Sequence, residues 1–552
     1  MKKRKLTEIV VMVCITIALL TGTFGSTGEI LVANAAQKNA VYQQYSKKID
    51  KRVKQIKNHK TDIKTVGTVF YVSSSTGDDA NDGLSPETAW KTCKRVNEDQ
   101  DGVIYQSVEE NGGATILFKR GDTWNRDGIY LWYPNMVYST YGTGAKPVFD
   151  FSLAEAADPS MWTLKKGTKN IWVYRDKVPF LGSLTLNNRT SADNYVGYYD
   201  YRTGKWYECC PNGHYKDDNY CCKYKAKQYL NVNQLPNNSF FVDVRPSKKY
   251  LDKASGDLYV YECNEKGTLY FSCKKGNPGK VYKSIQLCQG WGLSCGSNGT
   301  FDDLVVKNVG NQGIGNMADQ NEKGCTLQNC EIYFCGDTYL SFSTDEHRGM
   351  VGGECSGFQG PGSKYYNNYF YGSREGGFTV ELGWTGTLDG FATELGDVEA
   401  RGNVFDKCDG GIGVICFTEE AQGVNMSGIT IDDNYFRDIG YAHDTNSDGD
   451  DSHSLGIIHI WDHSGNVNLS GLKLTNNLFL YTEDRVINLE QVKRKKMMTA
   501  KNNVAILKKK SGMNFLRVTD RNWNETYYNS LSKAKTYIGS FGKIKCVEEM
   551  NL

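Results

Sequence analysis

Glu354, Glu381, Cys416, His459 and Glu490 recur at matching points of a repeated strand pattern, a set of side chains able to exchange protons. Glu381, Cys416 and Glu490 each stand thirteen residues beyond an asparagine: Asn368, Asn403 and Asn477. Two further copies carry longer loops and align by pattern. Val351-Gly352-Gly353-Glu354 and Gly456-Ile457-Ile458-His459 match Phe378-Thr379-Val380-Glu381. The neighbours along these stretches are apolar, as in Val380 and Leu382 or Ile458 and Ile460. Side chains alternate faces along a strand, so apolar neighbours turned inward leave the five residues in one outward column. Strands lie about 4.8 Å apart, and stacked carboxylates repel unless they share a proton, a cation or a bound molecule. Carboxyls about 5–5.5 Å apart suit nucleophile-and-acid chemistry at an acetal carbon, and about 6.5–9.5 Å leaves room for a water. Glu354 and Glu381, on adjacent coils, approach the first distance. Cys416 reads as packing, and His459 reads equally as a site residue or a hydrogen-bonded structural one.

The elements that would position this column announce themselves in a short phrase, two polar residues followed by an apolar or aromatic pair. It appears as Asn367-Asn368-Tyr369-Phe370, Gly402-Asn403-Val404-Phe405, Asp433-Asn434-Tyr435-Phe436, Asn476-Asn477-Leu478-Phe479 and Asn502-Asn503-Val504. Gln328-Asn329-Cys330 and Lys307-Asn308-Val309 are looser copies. The repeat interval falls in the range of solenoids, and the alternation of Gly428-Ile429-Thr430-Ile431-Asp432 marks the unit as a strand. One asparagine per coil can bond its equivalents above and below. An all-β, right-handed parallel β-helix solenoid is therefore expected, with a mostly β insertion and a C-terminal cap.

A formal charge of +2 gives no basic field for nucleic acid, so that class of partner is excluded. The N-terminus reads as an export signal: Lys2-Lys3-Arg4-Lys5, an apolar core from Ile9 to Leu20, and a small-x-small site at Ala33-Asn34-Ala35. The apolar run is shorter than the ~20 residues of a membrane span, so no span is expected after cleavage. One of the 17 cysteines lies in the signal. Cys325, Cys330, Cys335, Cys355, Cys408 and Cys416 sit inside repeat strands, where cysteine packs as a small hydrophobe. Cys209-Cys210 and Cys221-Cys222 bracket His214 without the usual zinc spacing, leaving disulfides, free thiols or a metal open.

The opening of the folded chain carries a more specific pattern. Val69-Phe70-Tyr71-Val72-Ser73 leads into Gly77-Asp78-Asp79-Ala80-Asn81-Asp82-Gly83-Leu84-Ser85-Pro86, then Thr115-Ile116-Leu117-Phe118-Lys119-Arg120-Gly121-Asp122-Thr123-Trp124 and Tyr141-Gly142-Thr143-Gly144. This resembles the first coils of secreted right-handed parallel β-helix proteins of the pectate-lyase-like superfamily. The resemblance covers residues 68–150 and, through the repeat, 285–505. It implies the fold and a carbohydrate-active protein. It does not choose an activity, because the superfamily includes lyases, hydrolases, epimerases and adhesins. The expected organisation is a signal peptide (1–35), a basic solvated helix or tether (36–66), N-terminal coils (67–150), a β-rich insertion with a hairpin from Phe240–Val244 to Asp257–Tyr261 (151–284), the main β-helix with the site (285–510) and a cap (511–552).

The expected function is a secreted or cell-wall-associated, monomeric enzyme that degrades a polysaccharide or oligosaccharide, foremost a glycoside hydrolase. Glu354 and Glu381 form its acid/base and nucleophile pair, in unassigned order, with His459 completing the catalytic set. Glu419, Trp461, Asp462, Trp384 and Glu490 contact the sugar. No basic residue enters the column, which disfavours a lyase acting on uronates. A Ca²⁺-dependent polysaccharide lyase and a non-catalytic glycan-binding surface protein stay open. Hydrolysis requires no cofactor. A Ca²⁺ site is possible at Asp444, Asn446, Asp448 and Asp450, whose loop begins like an EF-hand but has Leu455 at the twelfth position, so an acidic turn is the alternative.

Overall fold

The computed structural model describes residues 35–60, 62, 64–194, 197–200, 205–208, 230–245, 257–259, 265–316, 323–336, 341–343, 355–358, 360–374, 376–382, 396–416, 425–440, 456–462, 470–481, 486–491, 498–509, 515–520, 522, 524–528, 531–538 and 541–548. Short strands stack into three sheets of ten strands each. The first runs from Thr68–Val72 to Met498–Lys501, the second from Thr123–Asn125 to Gly542–Glu548, and the third from Tyr130–Leu131 to Glu525–Tyr528. Successive strands within a sheet are parallel, apart from a closing antiparallel pair, Leu516–Thr519 with Glu525–Tyr528. Each coil contributes one strand to each sheet, so the molecule is a parallel β-helix.

The repeated phrase is the corner between the first and second sheets. Its first residue takes a left-handed backbone: Asn367, Asp433, Asn476 and Asn502 have φ of 56°, 52°, 58° and 59°, and Gly402 has 66°. Asn, Asp and Gly tolerate that region best, which explains their recurrence there. The second residue forms the buried ladder. Asn434 Oδ1 accepts from the backbone N and Nδ2 of Asn403 at 3.0 and 2.9 Å. Asn434 Nδ2 donates to Ala400 O at 3.0 Å and Asn477 Oδ1 at 3.1 Å. The same pattern runs through Asn368, Asn403, Asn477 and Asn503. The looser copies stay out of it: Cys330, rather than Asn329, meets Asn368, and Asn308 bonds Asp150. The aromatic two residues on turns inward, and Phe370, Phe405, Phe436 and Phe479 stack at centroid distances of 4.9, 4.7 and 4.8 Å.

Residues expected as a solvated helix or tether form a helix, Ala35–Lys57, which is not solvated all round but seated on the outside of the second sheet. Val41, Tyr45, Ile49, Val53 and Ile56 make one apolar stripe, which packs with Tyr369, Val404, Tyr435 and Leu478. Arg437 bonds Ser46 at 2.8 Å and Asp50 at 2.6 Å, and buried Lys146 donates to Ile56 O at 2.7 Å. The high lysine content hid this stripe in the sequence.

Between the N-terminal coils and the main array stands an eight-stranded, mostly antiparallel sheet with its own core. The expected hairpin is not formed: Ser239–Asp243 pairs with Gly267–Ser272, while Asp257–Tyr259 pairs with Ser341–Ser343. At the far end the coil pattern continues through Leu516–Thr519 and Gly542–Glu548, and helix Leu531–Ile538 buries Ala534 and Ile538. Nine cysteines among the described residues are free and buried, including Cys325, Cys330, Cys335, Cys355 and Cys408. Cys416 lies in a strand whose last side chain falls outside the described set.

Asn434→Leu should destabilise the protein by on the order of 1–3 kcal/mol, because it strands Asn403 N–H and Nδ2 in the core. Denaturant melts matching the wild type would overturn the ladder's energetic role.

Candidate active site

The third sheet presents two kinds of row. Phe378, Ile412, Ile458, Ile487 and Leu516 are in register, as are Val380, Val414, Ile460, Leu489 and Val518; all are buried and face the core. The alternate residues face outward. One outward row reads Thr379, Gly413, His459, Asn488, Arg517, and the next reads Glu381, Ile415, Trp461, Glu490.

The outward parity matches the expectation for His459 and Glu490, and Glu381 holds the register position of Glu490's row, but the register does not match throughout. Only Glu381 and Glu490 of the expected column share a row. Phe378 follows Asn368 by ten residues, whereas its partner Ile412 follows Asn403 by nine. That one-residue difference slips Cys416 beside Leu382 and Asp462, onto the alternate parity. His459 stands beside Gly413, two residues back from the Glu381 row, so its parity survives. Ser356 pairs with Phe378 and Phe358 with Val380, so the pattern match of Glu354 to Glu381 is not the register of this sheet. Glu354 itself, Trp384, Glu419, Asp444, Asn446, Asp448 and Asp450 lie outside the described residues, and for Glu381 the backbone alone is described.

The described side chains that come together are His459, Trp461 and Glu490, with Asn488, Gln491, Arg517 and Glu525, which sequence reasoning missed. His459 is 3% exposed although it faces outward. Its Nε2 lies 3.0 Å from Glu490 Oε2. The other Glu490 oxygen accepts from Arg517 Nη1 at 2.7 Å and Asn488 Nδ2 at 3.2 Å. Arg517 Nη2 donates to Glu525, whose second oxygen accepts from Tyr527 OH at 2.5 Å. The Trp461 ring lies 6.3 Å from the imidazole at 19°, and its Nε1 donates to Gln491 Oε1 at 3.0 Å. Asp462 ends its strand and is buried. The alternation Leu516-Arg517-Val518 was the available signal for Arg517, but it falls where a cap was expected.

Burial alone would raise the Glu490 pKa, yet the attraction and hydrogen bond of His459, the Arg517 charge and the Asn488 bond pull it down to about 2. Glu490 is thus an ionised anchor, with both oxygens occupied, and is unsuited to donate a proton. A carboxylate only accepts, so His459 Nε2 carries the hydrogen. Nδ1 is left as the atom free to act; it is buried and meets no hydrogen-bond partner among the described residues. The described residues contain no group of three or more His, Cys, Asp or Glu placed to hold a metal.

No protein-family model matches the sequence, and no curated protein matches it. Solved structures with a similar course of the chain include a glycoside hydrolase, 10% identical over 87% of this chain and 96% of that one, with a TM-score of 0.37. A GH136 lacto-N-biosidase from Eubacterium ramulus is 12% identical over 93% and 70%, at 0.31. A family 28 exopolygalacturonase from Yersinia enterocolitica is 12% identical over 87% and 78%, at 0.28. Likeness at this level leaves the chemistry to be read from the residues of this chain.

The Glu490 cluster has a pH signature. Its folded pKa is depressed from 4.5 to about 2, so its stabilisation is complete above about pH 4.5 and is lost as pH falls through about 2. Glu490→Gln should lower stability at pH 7 by on the order of 3 kcal/mol and flatten the fall in melting temperature between those pH values. Parallel wild-type and variant curves would show that the cluster carries no such coupling.

Proposed function

We propose that this chain is an exported enzyme that hydrolyses a mainly neutral polysaccharide on the outer face of its third sheet. The observation that carries this reading is the row of Glu381, Ile415, Trp461 and Glu490, with buried His459 two residues back along the strand from Trp461. Glu381 is one catalytic carboxylate. Trp461 offers an apolar plane to a sugar ring, and His459, held by Glu490, meets a sugar hydroxyl through Nδ1.

One observation favours the lyase as a second reading. Arg517 stands in the His459 row, although no basic residue was expected on this face. Its two terminal nitrogens are bonded to Glu490 and Glu525, which offsets the charge that a uronate would need.

Glu381→Gln should reduce turnover ~10²–10⁴-fold with melting temperature preserved. The assay is a panel of neutral and uronate-bearing glycans, read by new reducing ends and by ultraviolet absorbance. Reducing ends without absorbance support hydrolysis, and an absorbing unsaturated product moves the assignment to a lyase. Full activity in this variant would falsify the catalytic role of Glu381. Calcium enters through the acidic loop 444–451: if it binds there, chelation lowers the melting temperature and added Ca²⁺ restores it. No shift with either treatment leaves that loop an acidic turn.

A further inference from the structure

The third sheet has a second feature, at its N-terminal end. Tyr130, Trp132 and Trp291 are 41%, 55% and 38% exposed. Single exposed aromatics are ordinary on protein surfaces, but these three belong to two neighbouring chain segments. Tyr130 is in register with Ser294, and inward Leu131 separates it from Trp132. Each ring of the first strand is fixed through its polar atom. Tyr130 OH donates to Trp291 O at 3.0 Å, and Trp132 Nε1 donates to Ser294 Oγ at 2.9 Å. The backbone bearing Trp291 is held as well: Gly290 takes φ 83°, and a Cβ on Gly292 would fall 1.8 Å from Gly313 O. Large apolar planes are thus presented to solvent, with the polar atoms of Tyr130 and Trp132 already used.

The register joins this patch to the candidate active site. The row that begins at Tyr130 passes through Ser294, Gly315, Gly357, Thr379 and Gly413 before it reaches His459. Every residue between the two ends is small. At the far end stand two buried polar atoms without hydrogen-bond partners among the described residues, His459 Nδ1 and Asn488 Oδ1. From the Ser294 strand to the Glu381 strand is three strand spacings, about 14 Å, which an extended glycan crosses in a few sugar units.

We propose that Tyr130, Trp132 and Trp291 form a distal subsite that stacks on a sugar ring of a long glycan lying along the third sheet, several units from the bond that is cut. This rests on the glycan reading of the site. Flat aromatic faces suit the C–H faces of pyranose rings, and pinned rings lose little freedom on binding. Such a platform favours polymers over short oligosaccharides, because only the former span both regions.

The test uses the full mature chain in affinity electrophoresis through gels containing soluble galactan, mannan, xylan or mixed-linkage β-glucan, with a trisaccharide of the best polymer as the short probe. Trp132→Ala should weaken retardation by the best polymer ~10-fold, while its melting temperature and its rate on the trisaccharide stay unchanged, and Trp132→Phe should restore much of the binding. Trp291→Ala should act in the same direction. Polymer retardation that depends on Trp132 in a protein without turnover upholds the subsite while the hydrolase reading fails. Turnover with the same polymer-to-trisaccharide preference in wild type and both alanine variants overturns the subsite while the hydrolase reading stands. Wild-type chain retarded by none of the polymers also overturns it.

Discussion

The tightest constraint in this molecule is the corner between the first and second sheets, where the chain must bend from one sheet to the next within two residues inside a packed stack. A left-handed residue makes the bend, and the next residue must satisfy the backbone that the bend leaves open. Asn403 illustrates the solution: its Oδ1 takes the N–H and side-chain amide of Asn368, while its own amide reaches Tyr365 O and Asn434 Oδ1. Every donor is met in a site with no water access, where an unmet one costs about 1–3 kcal/mol. Because each asparagine is satisfied by the next coil, the corners fix the vertical register, and the phenylalanines two residues later can stack at a constant spacing.

This explains what was legible in the sequence and what was not. The corner was legible because it admits few residues: Asn, Asp or Gly at the bend and Asn in the ladder. The solenoid and its ladder residues follow from that phrase alone. The third sheet has no such fixed point. It is reached through segments of variable length, so counting from the ladder drifts, and a single missing residue before Ile412 carries Cys416 to the other parity. Inward and outward faces survived this drift for His459 because its displacement was even. The N-terminal helix was obscured for a different reason, since its apolar stripe is diluted by lysines whose charges also serve the contact, as Lys48 over Tyr435 and Lys57 over Tyr369 show. The hairpin failed because alternation identifies strands without naming their partners.

The corner also constrains the chemistry. A sheet held in vertical register turns every sequence difference between coils into a change along a straight outward row. On the third sheet that row changes from aromatic and exposed, through glycine and threonine, to imidazole, amide and guanidinium. Removing side chains in the middle leaves the floor low, and Gly413 lies so close to Thr379 that a Cβ there would meet its methyl at 2.8 Å. Polarity is then concentrated at one end without any change in backbone.

The charges at that end must be held against each other to be tolerated on a face this buried. Glu490 is the centre of that arrangement, balanced between His459 and Arg517, with Glu525 offsetting the second side of the arginine. A buried cluster of this kind costs desolvation and returns little net stability compared with apolar packing. Its retention on an outward row, beside an otherwise apolar inner sheet, is most simply accounted for by what it fixes: the tautomer and aim of His459, and through the neighbouring Gln491 the plane of Trp461. Those two groups need a rigid setting only if something outside the coil is to meet them in one orientation. The ladder supplies that rigidity from within, and the Glu490 cluster carries it to the outer face.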